Sequence, residues 1–221
     1  MAPDALKTHV TDEEARISAD HVVERYERLD VAGREAFLNG VRFTEMRGGA
    51  LLAYLAESVD DDRDARKNIM RQARDETKHG YYFSLIIEHL GLQEHPVAED
   101  PLGLLTTNPN DLRMVDEATR ILMFMVNTEA IELRAAVVFD GLNRIFAGDP
   151  FVSRYLNEIR YDEMFHLGWI GSRLDELQKS KPEVGQWREQ ARDFLASTLL
   201  AYEAKVDAAA RKRMASPAAT S

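Results

Sequence analysis

With 221 residues, of which 45% are hydrophobic, the chain is long enough and apolar enough for one large domain with a full core. Its net charge of −10 argues against nucleic-acid backbones and anionic membrane surfaces as partners. The absence of cysteine excludes disulfides, Fe–S clusters and Cys₄ iron or zinc modules. Met1 to Val10 has no apolar signal-like run, and no stretch approaches the ~18 apolar residues of a membrane span. A soluble, cytoplasmic protein is the expectation.

Read in chain order, the sequence predicts helices nearly throughout. A first helix starts at about Thr11, and Leu29-Asp30-Val31-Ala32-Gly33 separates it from a second that runs to about Val59. The second helix carries Leu38, Val41, Glu45, Leu52, Leu55 and Val59 on one side, an apolar stripe with a glutamate in its middle. A third spans Asp62 to Leu90, stops at Gly91, and turns Ile69, Gln72, Glu76, His79, Phe83, Ile86 and Leu90 inward. From Leu92 to Asn110, Pro96, Pro101, Gly103 and Pro109 mark an irregular connection, long enough to be a crossover between two halves.

A fourth helix starts near Asp111 and runs to about Phe146, presenting Ile121, Met125, Glu132, Ala136 and Phe139. A fifth runs from Pro150 to about Lys179, with Leu156, Ile159, Glu163, His166, Ile170 and Leu177 inward. Pro182 opens a last helix to about Arg213, and Met214–Ser221 reads as a disordered polar tail. No segment alternates as a strand does. The expected fold is all-α, a single domain over 1–213. It has a four-helix core at about 35–178, a long crossover and an additional helix at each end.

Chemistry enters through a repeat. Glu-x-x-His occurs as Glu76-Thr77-Lys78-His79 and again as Glu163-Met164-Phe165-His166. Each copy follows another glutamate, Glu45 or Glu132, by 31 residues (76 − 45 and 163 − 132). One offset of 87 relates the halves (132 − 45, 163 − 76 and 166 − 79), and it also carries Arg47 onto Arg134 and Asp75 onto Asp162. A single Glu-x-x-His arises by chance in about every second chain of this composition, so the doubling and the shared register carry the signal. Residues three apart share a helix face, and a glutamate 31 positions earlier returns to that face only across an antiparallel hairpin. The midpoints of the two intervals fall at Asp60-Asp61 and Ala147-Gly148, where turn-forming residues cluster. Glu45, Glu76, His79, Glu132, Glu163 and His166 therefore converge at mid-bundle as the ligand set of a dinuclear metal site.

Four carboxylates and two imidazoles suit iron or manganese better than copper or a structural zinc. Two divalent cations cancel the four carboxylate charges, which makes so acidic a core tolerable. Nearby features are open to more than one reading. Glu129, one turn before Glu132, is a possible extra ligand or a replacement for Glu132. Gly48-Gly49, matched by Ala135-Ala136, leaves room for dioxygen or a substrate, or serves close helix packing. Tyr81, Tyr82 and Tyr161 flank the motifs, and His9, His21, His89 and His95 lack a partner at ligand spacing.

The six-residue pattern over about 35–178 resembles that of the ferritin-like di-iron carboxylate superfamily. That resemblance implies metal ligation by all six residues, with Glu76 and Glu163 bridging the metals. Asp75-Glu76-x-x-His79 and Asp162-Glu163-x-x-His166 further resemble the Asp-Glu-x-x-His motif of bacterial di-iron monooxygenases. In that pattern Asp75 orients His166 and Asp162 orients His79. Glu129 has a parallel in rubrerythrin-like peroxidases.

The activity implied is that of an O₂-activating oxygenase or hydroxylase. Its cofactor would be two iron ions, or a Mn/Fe pair, with O₂ as co-substrate and a small organic molecule as substrate. Electrons would come from a separate donor protein or a small reductant. A monomer or homodimer that binds neither nucleic acid nor membrane fits the flanking helices better than a shell. The competing implication is iron handling: a ferroxidase, a bacterioferritin-like store or a rubrerythrin-like peroxidase.

Overall fold

The structure, a computed structural model, describes residues 12–57, 59, 62–97 and 117–193. These contain six helices and no strand: α1 (Asp12–Glu27), α2 (Val31–Ala56), α3 (Arg63–His89), α4 (Glu117–Ile145), α5 (Pro150–Ser180) and α6 (183–193). Parts of four expectations lie outside the described residues: most of the crossover, the start of the fourth helix near Asp111, the end of the last near Arg213, and the Met214–Ser221 tail.

Aspartates start three of these helices by occupying backbone N–H groups that have no partner within the helix. Asp30 accepts from the Gly33 N–H at 2.8 Å, and Asp62 from that of Ala65 at 2.9 Å. Asp149 accepts from Phe151 and Val152 at 3.0 and 3.1 Å, with Pro150 in the first turn. The cap at Asp30 corrects one expectation. Val31-Ala32-Gly33 is not linker but the first turn of α2, because the Asp30 carboxylate secures that turn despite its glycine. At the other end of its hairpin α3 closes on Gly91, whose φ of 67° lets Leu92 N–H reach Ile87 O at 3.0 Å and Gly91 N–H reach Glu88 O at 3.0 Å.

Short connections make α2 and α3 one hairpin and α4 and α5 another, and α3 also packs against α5. α2 and α3 approach closely at Gly49, where an added Cβ would lie 2.5 Å from Thr77 Oγ1 and 2.9 Å from the Ala73 carbonyl oxygen. Only a residue without a side chain permits that backbone contact. α1 covers α4, and α6 brings Val184 and Trp187 onto a cluster with Leu122, Met125, Val126, Ile170 and Leu174.

Two apolar zones divide the bundle along its length. One joins Tyr26, Leu38, Phe83, Ile86, Ile87, Phe139, Leu142, Val152, Leu156 and Ile159. The other combines the α6 cluster with Leu52, Leu55, Ala56, Val59, Ala65, Ile69 and Ala73. Each large side chain buried there contributes about 1.5–3 kcal/mol. Between the zones, roughly 10 Å along α2 from both Leu38 and Leu52, sits Glu45. The fold thus closes at both ends and leaves a polar layer across its middle.

Candidate metal centre

Each hairpin supplies that layer with a glutamate from its first helix and a Glu-x-x-His pair from its second. Glu45 stands on α2 with Glu76 and His79 on α3, and Glu132 on α4 with Glu163 and His166 on α5. All six are buried, and both histidines are at 0% exposure. They form two groups able to hold a metal ion, Glu45–Glu76–His79–Glu163 and Glu76–Glu132–Glu163–His166, each with ligand atoms within 4.8 Å of one another. Glu76 and Glu163 belong to both groups.

The shared carboxylates divide their oxygens between the two histidines. Glu163 turns Oε1 to His79 Nδ1 at 3.2 Å and Oε2 to His166 Nδ1 at 3.5 Å. Glu76 turns Oε1 to His166 Nδ1 at 3.2 Å and Oε2 to His79 Nδ1 at 4.0 Å. The unshared glutamates lie at the ends, with Glu45 Oε2 at 3.2 Å from His79 Nδ1 and Glu132 Oε2 at 3.8 Å from His166 Nδ1. The two imidazole centroids are 6.0 Å apart.

Both imidazoles present Nδ1 to the carboxylates and Nε2 to an aspartate of the opposite hairpin. His79 Nε2 lies 3.2 Å from Asp162 Oδ2. His166 Nε2 lies 3.6 Å from Asp75 Oδ2, just beyond hydrogen-bonding length. A proton kept on Nε2 by the aspartate leaves the Nδ1 lone pair for a cation, the tautomer a metal ligand needs. The aspartates are themselves tethered, Asp162 by Lys78 Nζ at 2.6 Å and Asp75 by Arg74 at 2.6 and 3.0 Å.

Without a cation the centre must hold protons instead. Burial raises the Glu45 and Glu132 carboxyls well above their usual range, and the charges of Glu76 and Glu163 push the same way. Burial would lower the His79 pKa, but Asp162, Glu163 and Glu45 outweigh it and raise it to about 12. His166 is raised in the same manner by Asp75, Glu132, Glu163 and Glu76. Glu163 ends below the usual range, because the neighbouring Glu132, His166 and His79 groups outweigh its burial. Asp75 is likewise held low by His166, Arg74 and Lys78 against its own burial.

The residues fit a cation on a second ground. Both oxygens of Glu163, both ring nitrogens of His166 and Asp75 Oδ2 are buried and make no hydrogen bond among the described residues. An unsatisfied buried polar atom costs about 1–3 kcal/mol, so five in one layer call for a partner. Oxygen-rich donors with two imidazoles suit a hard or borderline divalent ion.

The structure also places the remaining residues of interest. Glu129 lies outside both groups: its carboxylate pairs two-pronged with Arg188 of α6, which also binds Asp175 at 2.6 Å. Gly49 is taken up by helix packing, whereas an added Cβ at Gly48 would meet only Glu76, at 4.0 Å. Tyr81 and Tyr161 are exposed, and Tyr82 donates to Glu158 at 2.7 Å. His89 pairs with Asp149 at 3.0 Å, and His95 lies 3.5 Å from Glu35.

Sequence reasoning put Gln72 on the inward face without a role. It lies one turn before Glu76, at 0% exposure, and donates to Glu132 while Trp169 donates to it. Its spacing to Glu76 was the available signal; its partner on α4 was not visible. Arg188 gave no signal at all, being a lone basic residue on a different helix from its acid. In comparisons with known proteins, no family model, curated protein or solved structure matches this chain.

Proposed function

We propose that the six residues hold two iron ions in a ferritin-like four-helix bundle, and that the chain is an O₂-dependent oxidoreductase acting on a small organic substrate. The observation that carries this reading is the division of the Glu76 and Glu163 oxygens between two histidines in a sealed layer. Two carboxylates that belong to both groups, each with an oxygen toward either histidine, support a pair of adjacent cations bridged by Glu76 and Glu163.

In this reading Glu45 and His79 complete one metal position, and Glu132 and His166 the other. Asp162 and Asp75 keep each imidazole proton on Nε2, and the apolar zones exclude bulk water. Iron bound there would supply the electrons that reduce O₂. A donor protein or small reductant would restore them, since the chain has no cysteine to hold an Fe–S relay.

A second reading, iron oxidation and handling, is favoured by Gly49, whose packing against α3 leaves no room there for an organic substrate. Anaerobic loading with Fe(II) tests the core proposal. Close to two irons should bind per chain, and His79→Ala or His166→Ala should lower that to one or fewer. One iron per chain, unchanged by either substitution, would sink the dinuclear reading. Oxygen uptake then separates the two functions: an oxygenase consumes a few equivalents per chain, whereas a shell-forming store keeps oxidising added iron.

A further inference from the structure

The repeat that relates the two hairpins does not extend to every residue beside the centre. Gln72 maps onto Ile159 (159 − 72 is 87), so a buried amide on one side is matched by a hydrocarbon on the other. Gln72 is at 0% exposure, and its amide orientation is fixed by chemistry. The indole of Trp169 can only donate, and its Nε1–H points at Gln72 Oε1 over 3.2 Å. The amide nitrogen must therefore face the other way, where it donates to Glu132 Oε1 and lies 3.5 Å from Glu76 Oε1. Both acceptors belong to the Glu76–Glu132–Glu163–His166 group. At the opposite end, Glu45 accepts only from His79 among the described residues, and Ile159 has no N–H to offer.

We infer that Gln72, set by Trp169, is a positioning residue that makes the two metal positions unequal. It commits Glu132 Oε1 to an amide and leaves Oε2 as the single oxygen for a cation, while Glu45 retains both. The inference rests on the two-metal reading. Its consequence is an ordered filling: the position framed by Glu132, His166 and Gln72 is prearranged and takes the first ion. The Glu45–His79 position takes the second, and is the more exchangeable of the two because, among the described residues, no group other than His79 holds its carboxylate.

Manganese(II) is the probe, because it is paramagnetic and requires no exclusion of its own redox chemistry. Calorimetric titration of the unaltered chain should resolve two binding steps. Gln72→Met keeps the side-chain length and removes the amide, and should weaken one step by about 10–100-fold while sparing the other. Trp169→Phe removes the donor that orients the amide while keeping an aromatic ring against the two apolar clusters, and should weaken the same step by less. Electron paramagnetic resonance at two equivalents should show a coupled pair in the unaltered chain and an isolated six-line Mn(II) signal growing in with Gln72→Met. Equal weakening of both steps, or none, in a variant with unchanged helical content overturns the inference. If Gln72→Met does not fold, Trp169→Phe decides by the same criterion: selective weakening of one step supports the inference, and equal weakening or none overturns it. Fewer than two Mn(II) ions bound by the unaltered chain overturns the two-metal reading itself, and this inference with it.

Discussion

Loading the centre with two divalent cations should expel four protons. In the metal-free protein four groups in the polar layer are raised above their ordinary values: Glu45, Glu132, His79 and His166. Four protons carry the same charge as two divalent ions, so the exchange leaves the layer's net charge unaltered in a region too buried to tolerate a change. The sign follows from the direction of the shifts. Groups with raised pKa must lose a proton before Nδ1 or a carboxylate oxygen can bind metal, so affinity falls as pH falls. Each proton released lowers the overall two-metal constant about tenfold per pH unit, or ~1.4 kcal/mol. The same shifts make the metal-free fold less stable as pH rises past 4.5 and then 6.5, the ordinary values of the two residue types. Metal stabilisation should therefore grow with pH. Titration with Mn(II) in buffers of different ionisation enthalpy counts the protons directly. Release of one or none, or an affinity flat between pH 6 and 8, would refute the reasoning.

Three further outcomes are expected. Asp162→Asn and Asp75→Asn should each reduce metal retention by about 10–100-fold with little change in helical content, measured by chelator competition; unchanged retention in both would leave the aspartates without influence on the centre. Gly49→Ala should cost about 1–3 kcal/mol and lower Tm by roughly 2–4 °C per kcal/mol, whereas Gly48→Ala should stay within about 0.5 kcal/mol, because only the first meets backbone. Arg188→Ala leaves the Glu129 carboxylate, at 2% exposure, with Arg192 at 4.0 Å and should cost up to about 3–5 kcal/mol by denaturant titration, while the double variant Glu129→Leu/Arg188→Met recovers most of it.

What could be read from sequence was what repeats. Glu45, Glu76, His79, Glu132, Glu163 and His166 share one register, and helix geometry turns that register into convergence. Helix starts were legible to within a residue or two wherever an aspartate caps, as at Asp62 and Asp149, because capping is a local bond between near neighbours. At Asp30 the run to Gly33 was read as a break, because the glycine outweighed the aspartate that caps the helix. The Gln72–Glu132 bond and the Arg188–Glu129 pair were illegible for a different reason. They join residues 60 and 59 positions apart that follow no period and have no counterpart in the other half. The tight contact at Gly49 was undecidable from sequence, since a glycine needed for backbone proximity and one needed for empty space are spelled alike.

The crossing of Asp162 to His79 and Asp75 to His166 bears on how such a chain is put together. Neither hairpin holds a complete position, since each imidazole leans on an acid from the other. A single hairpin with this pattern could assemble the same layer only as a twofold dimer, in which every residue is obliged to do the same work twice. Joining two copies end to end removes that obligation. Position 72 can then be an amide while position 159 is a hydrocarbon, and the surroundings of one group can differ from those of the other. The covalent link between the hairpins is thus what permits the two groups of buried carboxylates and imidazoles to be given different neighbours.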